Sequence, residues 1–173
     1  MKYTLQVHTG SWHETLDSPE NIARKIGEAA SRIPADSVII GWNTDPAYYR
    51  ETAAVLRGSG IRMLLWLPVF SEANRIAETD GAEDLFGKPA GMPDEQSGES
   101  FVFDCPSSRQ NIRSVEGLYE KYFSDCGFDG VFLDRIRTQS FAAGVSGVLS
   151  CTGCGCPGGP AKARTSWNAR RPC

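Results

Sequence analysis

Twice in the first fifty residues, a polar residue followed by proline opens a run with helical apolar spacing. The pairs are Ser18-Pro19 and Asp45-Pro46. Ser and Asp accept hydrogen bonds from the first free N–H groups of a helix, and proline suits its first position. Behind Ser18, Ile22, Ile26, Ala29, Ala30 and Ile33 recur at helical spacing, which predicts a helix over 18–33. Behind Asp45 a second helix is predicted over 45–60, closing on glycines that suit a C-cap. Three short runs frame them: "YTLQVHTG", "DSVIIGWN" and "IRMLLWLPVF". Strand–helix alternation of this kind dictates parallel strands with right-handed crossovers. The expected fold class is therefore α/β with a parallel sheet.

After Phe70 the rhythm breaks. The stretch 71–100, with "KPAGMPDEQSGES", is rich in Pro, Gly and polar residues and predicts a long surface loop. "FVFDCPSS" (101–108) predicts a short extra strand, and Ile112, Val115, Leu118, Tyr119 and Tyr122 predict an amphipathic helix. That helix leads into "GFDGVFLDRIR". Val131, Phe132 and Leu133 read as a strand buried in the middle of a parallel sheet, and Asp134, Arg135 and Arg137 follow at once. Parallel strands are thus expected near 3–8, 37–42, 61–67 and 130–134. Beyond Thr138 the periodicity fades, and from Gly155 large apolar residues are almost gone. Two regions are expected: a domain over 1–150, and a Cys/Gly/Pro-rich tail over 151–173, disordered from about 155.

Lys plus Arg number 18 and Asp plus Glu 21, a net charge of −3, so no basic face is expected for nucleic acid. No apolar run approaches the roughly 18 residues that span a bilayer, so no membrane partner is expected. The N-terminus reads as a strand rather than a leader, which points to the cytoplasm and argues against a disulfide framework. "CTGCGC" brings Cys151, Cys154 and Cys156 together. A structural zinc site takes four ligands, commonly as two separated pairs. Cys173 or His13 is available as a fourth, but there is no second knuckle. No cofactor and no metal site are expected, with zinc on Cys151, Cys154 and Cys156 as the alternative.

Ligands of parallel α/β folds bind at the carboxyl ends of the strands. Those ends carry His8, then Trp42 and Asn43, then Trp66, then Asp134, Arg135 and Arg137. Each has an ordinary structural role when taken singly: a satisfied histidine, core tryptophans, an ion pair. Their convergence on one sheet edge points to a site. Indole faces suit sugar rings, and Asn, His, Asp and Arg hydrogen-bond hydroxyl groups.

The stretch "FDCPSSRQNIRSVEGLYEKYFSDCGFDGVFLDRIR" resembles the segment entering strand four of glycoside-hydrolase-like TIM barrels. Its end is also similar to the strand of the α-amylase superfamily whose aspartate is the nucleophile. The resemblance covers about residues 1–150. It implies Asp134 as nucleophile with an arginine in hydrogen-bond reach, Arg135 or Arg137 as clamp, and an oligo- or polysaccharide as partner. His8, Trp42, Asn43 and Trp66 would join the arginines in binding substrate. A complete barrel takes about 250 residues in eight units, and four units are legible here. A retaining glycosidase also needs a second carboxylate about 5 Å from the first, for which Glu14 and Glu72 are the stand-ins. The expectation is about four βα units of a TIM barrel, truncated or frame-shifted, inactive alone and self-associating through open sheet edges. The alternatives are a non-catalytic carbohydrate-binding relative and a zinc-stabilised α/β interaction module.

Overall fold

The caps form as the sequence predicts. In the computed structural model Ser18 Oγ accepts from the Asn21 N–H at 3.2 Å and starts helix α1, Pro19–Arg32. Asp45 Oδ1 accepts from Ala47 N at 2.9 Å and Tyr48 N at 3.3 Å, starting α2, Pro46–Gly58. Such caps stabilise a helix by about 1 kcal/mol. The structure describes residues 2–15, 17–83 and 102–137. The expected loop beyond Glu83, the cysteines at 151, 154, 156 and 173, and the tail over 151–173 lie outside the described residues.

Four parallel strands make one sheet: β1 (Tyr3–His8), β2 (Ala35–Gly41), β3 (Arg62–Pro68) and β4 (Gly130–Asp134). Their order is β1-β2-β3-β4, with no reversal. Doubly wound sheets reverse their strand order at a switch point. An unreversed order is that of a barrel sector, so the fold is an incomplete parallel (β/α) barrel type.

The described residues divide into two units, those within 1–67 and 117–134, and those within 68–116 and 135–137. In the first, Leu5 pairs with Val38 and Val7 with Ile40, while Val38 pairs with Met63 and Ile40 with Leu65. Val38, Ile40, Met63 and Leu65 are at most 1% exposed. Helix α1 packs on β2 and on α2, burying Ile22, Ala23 and Ile26. Its last apolar position, Ile33, is exposed, because the chain has already turned into β2. Helix α2 buries Tyr49, Ala53 and Leu56. Tyr49 also meets Phe128 at 5.0 Å and Phe123 at 5.8 Å between ring centroids.

Strand β4 corrects one expectation. Val131, Phe132 and Leu133 are 40%, 40% and 53% exposed, not buried. The strand stands last in the sheet order, so no described strand follows it. Its approach is held by Asp129, which accepts from Met63 N on Oδ2 (2.8 Å) and donates its own N–H to Met63 O (2.7 Å). Arg57 donates to Gly127 O at 2.7 Å just before it.

In the second unit, Ser108 Oγ accepts from Asn111 N and caps helix α3, Arg109–Tyr122, whose last turns belong to the first unit. Asn111 Nδ2 donates to the carbonyls of Asp80 (2.8 Å) and Cys105 (2.9 Å). The extra strand expected at 101–108 is reduced to two single antiparallel bridges, Ser71 with Phe103 and Gly81 with Asp104. Among the described residues no helix is long and apolar enough to cross a membrane.

Leu65, wholly buried on the helix-facing side, and Leu64, half-buried on the opposite side, give a paired test of this packing. Leu65→Ala is expected to lower the urea-unfolding free energy by about 2–5 kcal/mol, and Leu64→Ala by clearly less. Tyr49 gives a second test. Burial pushes its phenol well above the ordinary value of 10.0. The unfolded chain therefore ionises there near pH 10 while the folded chain does not, so stability is complete below pH 10 and falls as pH rises past it. Tyr49→Phe is expected to flatten that alkaline decline. At neutral pH it is expected to cost roughly 1–3 kcal/mol, since the buried Asn43 N–H that donates to Tyr49 Oη at 2.8 Å loses its acceptor.

Candidate functional site

Strand parity decides which residues reach the open side of the sheet. With Val7, Ile40 and Leu65 facing the helices, His8, Gly41 and Trp66 face the other way. His8 pairs with Gly41, and Gly41 lies against Trp66. A Cβ on Gly41 would sit 2.8 Å from the Trp66 carbonyl oxygen and 3.1 Å from Trp66 Cβ, so glycine here is required by close approach. Across that gap the rings of His8 and Trp66 meet at 6.1 Å and 72°. Trp42, one residue beyond Gly41, sits 5.4 Å from His8 and 5.0 Å from Trp66, both edge-to-face.

Only part of this cluster meets solvent. Trp42 is 7% exposed and is backed by Trp12, 2% exposed, stacked on it at 6.2 Å and 24°. Trp12 is a component that sequence reasoning missed. Its signal was its place in "GSWHE", directly after β1, and its carbonyl takes hydrogen bonds from Thr44 N and Oγ1. His8 is exposed and Trp66 half-buried, so they form the accessible surface.

Asp134, at the end of β4, joins the same group. Trp66 Nε1 donates to Asp134 Oδ2 at 2.8 Å. An N–H donor to a carboxylate fixes its direction. The structure thus brings His8, Trp42, Trp66 and Asp134 together. Asn43 stands beside them in sequence but is 1% exposed. Its Oδ1 accepts from Asp45 N at 3.0 Å, which turns the chain into α2.

Arg135 and Arg137 fall in the second unit. Arg135 Nη1 donates to Ser71 Oγ at 2.9 Å and Glu72 Oε1 at 3.1 Å, and Arg75 Nε donates to Glu72 Oε2 at 2.9 Å. Glu72 and Arg135 both hold positive φ, 69° and 52°. For non-glycine residues this conformation costs of order 1–3 kcal/mol each. Arg137 is exposed and lies 5.3 Å over the ring of Phe103. Glu14 is exposed in the loop after β1. Among the described residues no three His, Cys, Asp or Glu side chains group closely enough to hold a metal ion.

No family model and no curated protein matches the chain. Among solved structures 21 chains match. A cycloalternan-forming enzyme from Listeria monocytogenes, in complex with a pentasaccharide substrate, is 13% identical with a TM-score of 0.48, covering 76% of this chain and 16% of that one. Trehalose-6-phosphate hydrolase from Bacillus licheniformis is 13% identical (TM-score 0.44, 76% and 34% covered). A noncanonic maltogenic α-amylase from Thermotoga neapolitana is 8% identical (TM-score 0.47, 76% and 38% covered). The chain spans between 16% and 38% of the length of these three. The fold assignment rests on the strand order.

Gly41→Ala tests the close approach on which the cluster depends. The added methyl meets backbone rather than a yielding side chain, so a loss of roughly 1–3 kcal/mol in unfolding free energy is expected. A stability equal to that of the parent would show that the strands do not approach as described.

Proposed function

We propose that this chain is a carbohydrate-active, glycoside-hydrolase-like protein. It takes a glycan ring against His8 and Trp66, with Asp134 as the working carboxylate. The observation that carries the reading is the 2.8 Å hydrogen bond from Trp66 Nε1 to Asp134 Oδ2. It sets an oriented carboxylate beside a partly open aromatic face at the strand ends, where α/β folds bind ligands. Indole faces take the C–H face of a pyranose, and a carboxylate at the rim accepts from its hydroxyl groups. In a hydrolytic cycle Asp134 would attack the anomeric carbon as the glycosidic C–O bond breaks, the leaving oxygen taking a proton from water, and a second water would then release the sugar from Asp134. Trp42 and Asn43 belong to the reading as supports for the rings, and Arg135 and Arg137, in the second unit, remain proposed substrate-binding residues on the sequence resemblance alone.

One observation favours the non-catalytic form of the reading for this chain alone. Glu72, a stand-in for the second carboxylate, is buried between Arg135 and Arg75. With both oxygens engaged by guanidinium groups, it has none free to meet a substrate. We therefore read the chain as glycan-binding and without turnover by itself. Cytoplasmic residence, with Cys126 as a free buried thiol, is part of the same reading. So is self-association through β1 and β4, the outer strands of the described sheet.

Titration with a panel of α- and β-linked oligosaccharides, followed by tryptophan fluorescence, tests this. At least one glycan is expected to bind, with Trp66→Ala weakening it about tenfold or more, which is about 1.4 kcal/mol. Asp134→Asn keeps an acceptor for the indole and is expected to alter binding far less, while removing any release of nitrophenol from aryl glycosides. A panel in which no sugar perturbs the fluorescence would sink the reading.

A further inference from the structure

The turn that leaves β1 is built more tightly than a plain connection to α1 requires. Gly10 holds φ 139°, and a Cβ there would overlap the Glu14 carbonyl oxygen, so the two ends of the stretch 10–14 touch. Within it Glu14 N donates to Ser11 O at 3.1 Å. Its middle residue, Trp12, is the buried ring stacked on Trp42. Thr44, in the loop after β2, donates to the Trp12 carbonyl from N at 3.1 Å and from Oγ1 at 2.6 Å. The turn is thus tied at its base, at its tip and to the next strand end.

On that fixed frame His13 and Glu14 are both exposed. Neither side chain has a hydrogen-bond or ion-pair partner among the described residues. A rigid backbone carrying unengaged polar side chains loses little further entropy when a ligand arrives. Their place matters as well. Ring contacts of 5.0 Å from Trp66 to Trp42 and 6.2 Å from Trp42 to Trp12 lead from the accessible aromatic face to the residue just before them, a span comparable to a disaccharide. An imidazole donates and accepts, and a carboxylate accepts, which together match the neighbouring hydroxyl groups of a sugar.

We propose that the turn 10–14 is the wall of a second sugar subsite, where His13 and Glu14 hydrogen-bond the ring next to the one held by His8 and Trp66. This assignment deepens the carbohydrate reading and rests on it. It gives Glu14, which sequence reasoning places as a stand-in acid, a binding duty instead.

Methyl glycosides, compared with the di- and trisaccharides of the same sugar and linkage, test the subsite. Binding is followed by tryptophan fluorescence, and for weak monosaccharides by the indole N–H resonances of a 15N-labelled chain. The parent chain is expected to bind a disaccharide roughly tenfold or more tighter than the methyl monosaccharide. His13→Ala and Glu14→Ala are each expected to lower disaccharide affinity by about fivefold to tenfold and to leave the monosaccharide unchanged, since each removes contacts to one ring only. Trp66→Ala is expected to weaken both ligands alike. Equal affinity of the parent for the two ligands overturns the proposal, and so does finding that both His13→Ala and Glu14→Ala weaken the two ligands alike or neither. In those cases the parent still binds sugar, so the carbohydrate reading stands without the second subsite. A parent chain that binds no sugar removes both.

Discussion

The parity of β2 and β3 underlies everything else in the first unit. A strand's side chains alternate between faces, so burying Val38, Ile40, Met63 and Leu65 against the helices commits Gly41 and Trp66 to the opposite side. A slip of one residue would place Ile39 and Leu64 under the helices and turn Trp66 into the core. The apolar stripe thus fixes the aromatic cluster as firmly as it fixes the fold. His8 follows by the same rule from its pairing with Gly41.

On that frame, the site is assembled by space as much as by attraction. Gly41 contributes nothing but the missing side chain, and that vacancy lets His8 and Trp66 close over it. Edge-to-face aromatic pairs stabilise by about 0.5–1.5 kcal/mol beyond their buried area. Three such pairs link His8, Trp42 and Trp66, with Trp12 stacked behind. The indole N–H of Trp66 is left pointing along the rim, where Asp134 receives it. The buried tryptophans hold the geometry, and the half-open one meets solvent.

Much of the fold was legible because its signals are local. Ser18-Pro19 and Asp45-Pro46 start helices through contacts within three residues, and the strand runs carry their own apolar pattern. The parallel order follows from the alternation. What misled was context. Val131 to Leu133 have the composition of a central strand, and composition does not say whether a neighbour lies on the far side. "FVFDCPSS" has strand composition too, yet Phe103 and Asp104 each find only a single bridge. Chemical type singled out His8, Trp42, Trp66 and Asp134, which the structure places side by side. It could not tell that Asn43 is buried as a turn-former, that Trp12 backs Trp42, or that Arg135 is engaged with Glu72. Those are facts of register and loop path, which no short window of sequence contains.

The clamp at Asp129 bears on how such a chain tolerates change in length. Thr4 and Ser37, which join β1 to β2, are 33 residues apart, whereas Met63 and Asp129, which join β3 to β4, are 66 apart. Closing a loop twice as long costs only about 0.6 kcal/mol more in chain entropy. Asp129, with one side-chain and one backbone hydrogen bond to Met63, offsets a penalty of that size. By the same logarithm, ten residues added between Met63 and Asp129 would cost about 0.1 kcal/mol. Added length between the third and fourth strands therefore carries little entropic cost of closure, while Asp129 holds the approach to β4.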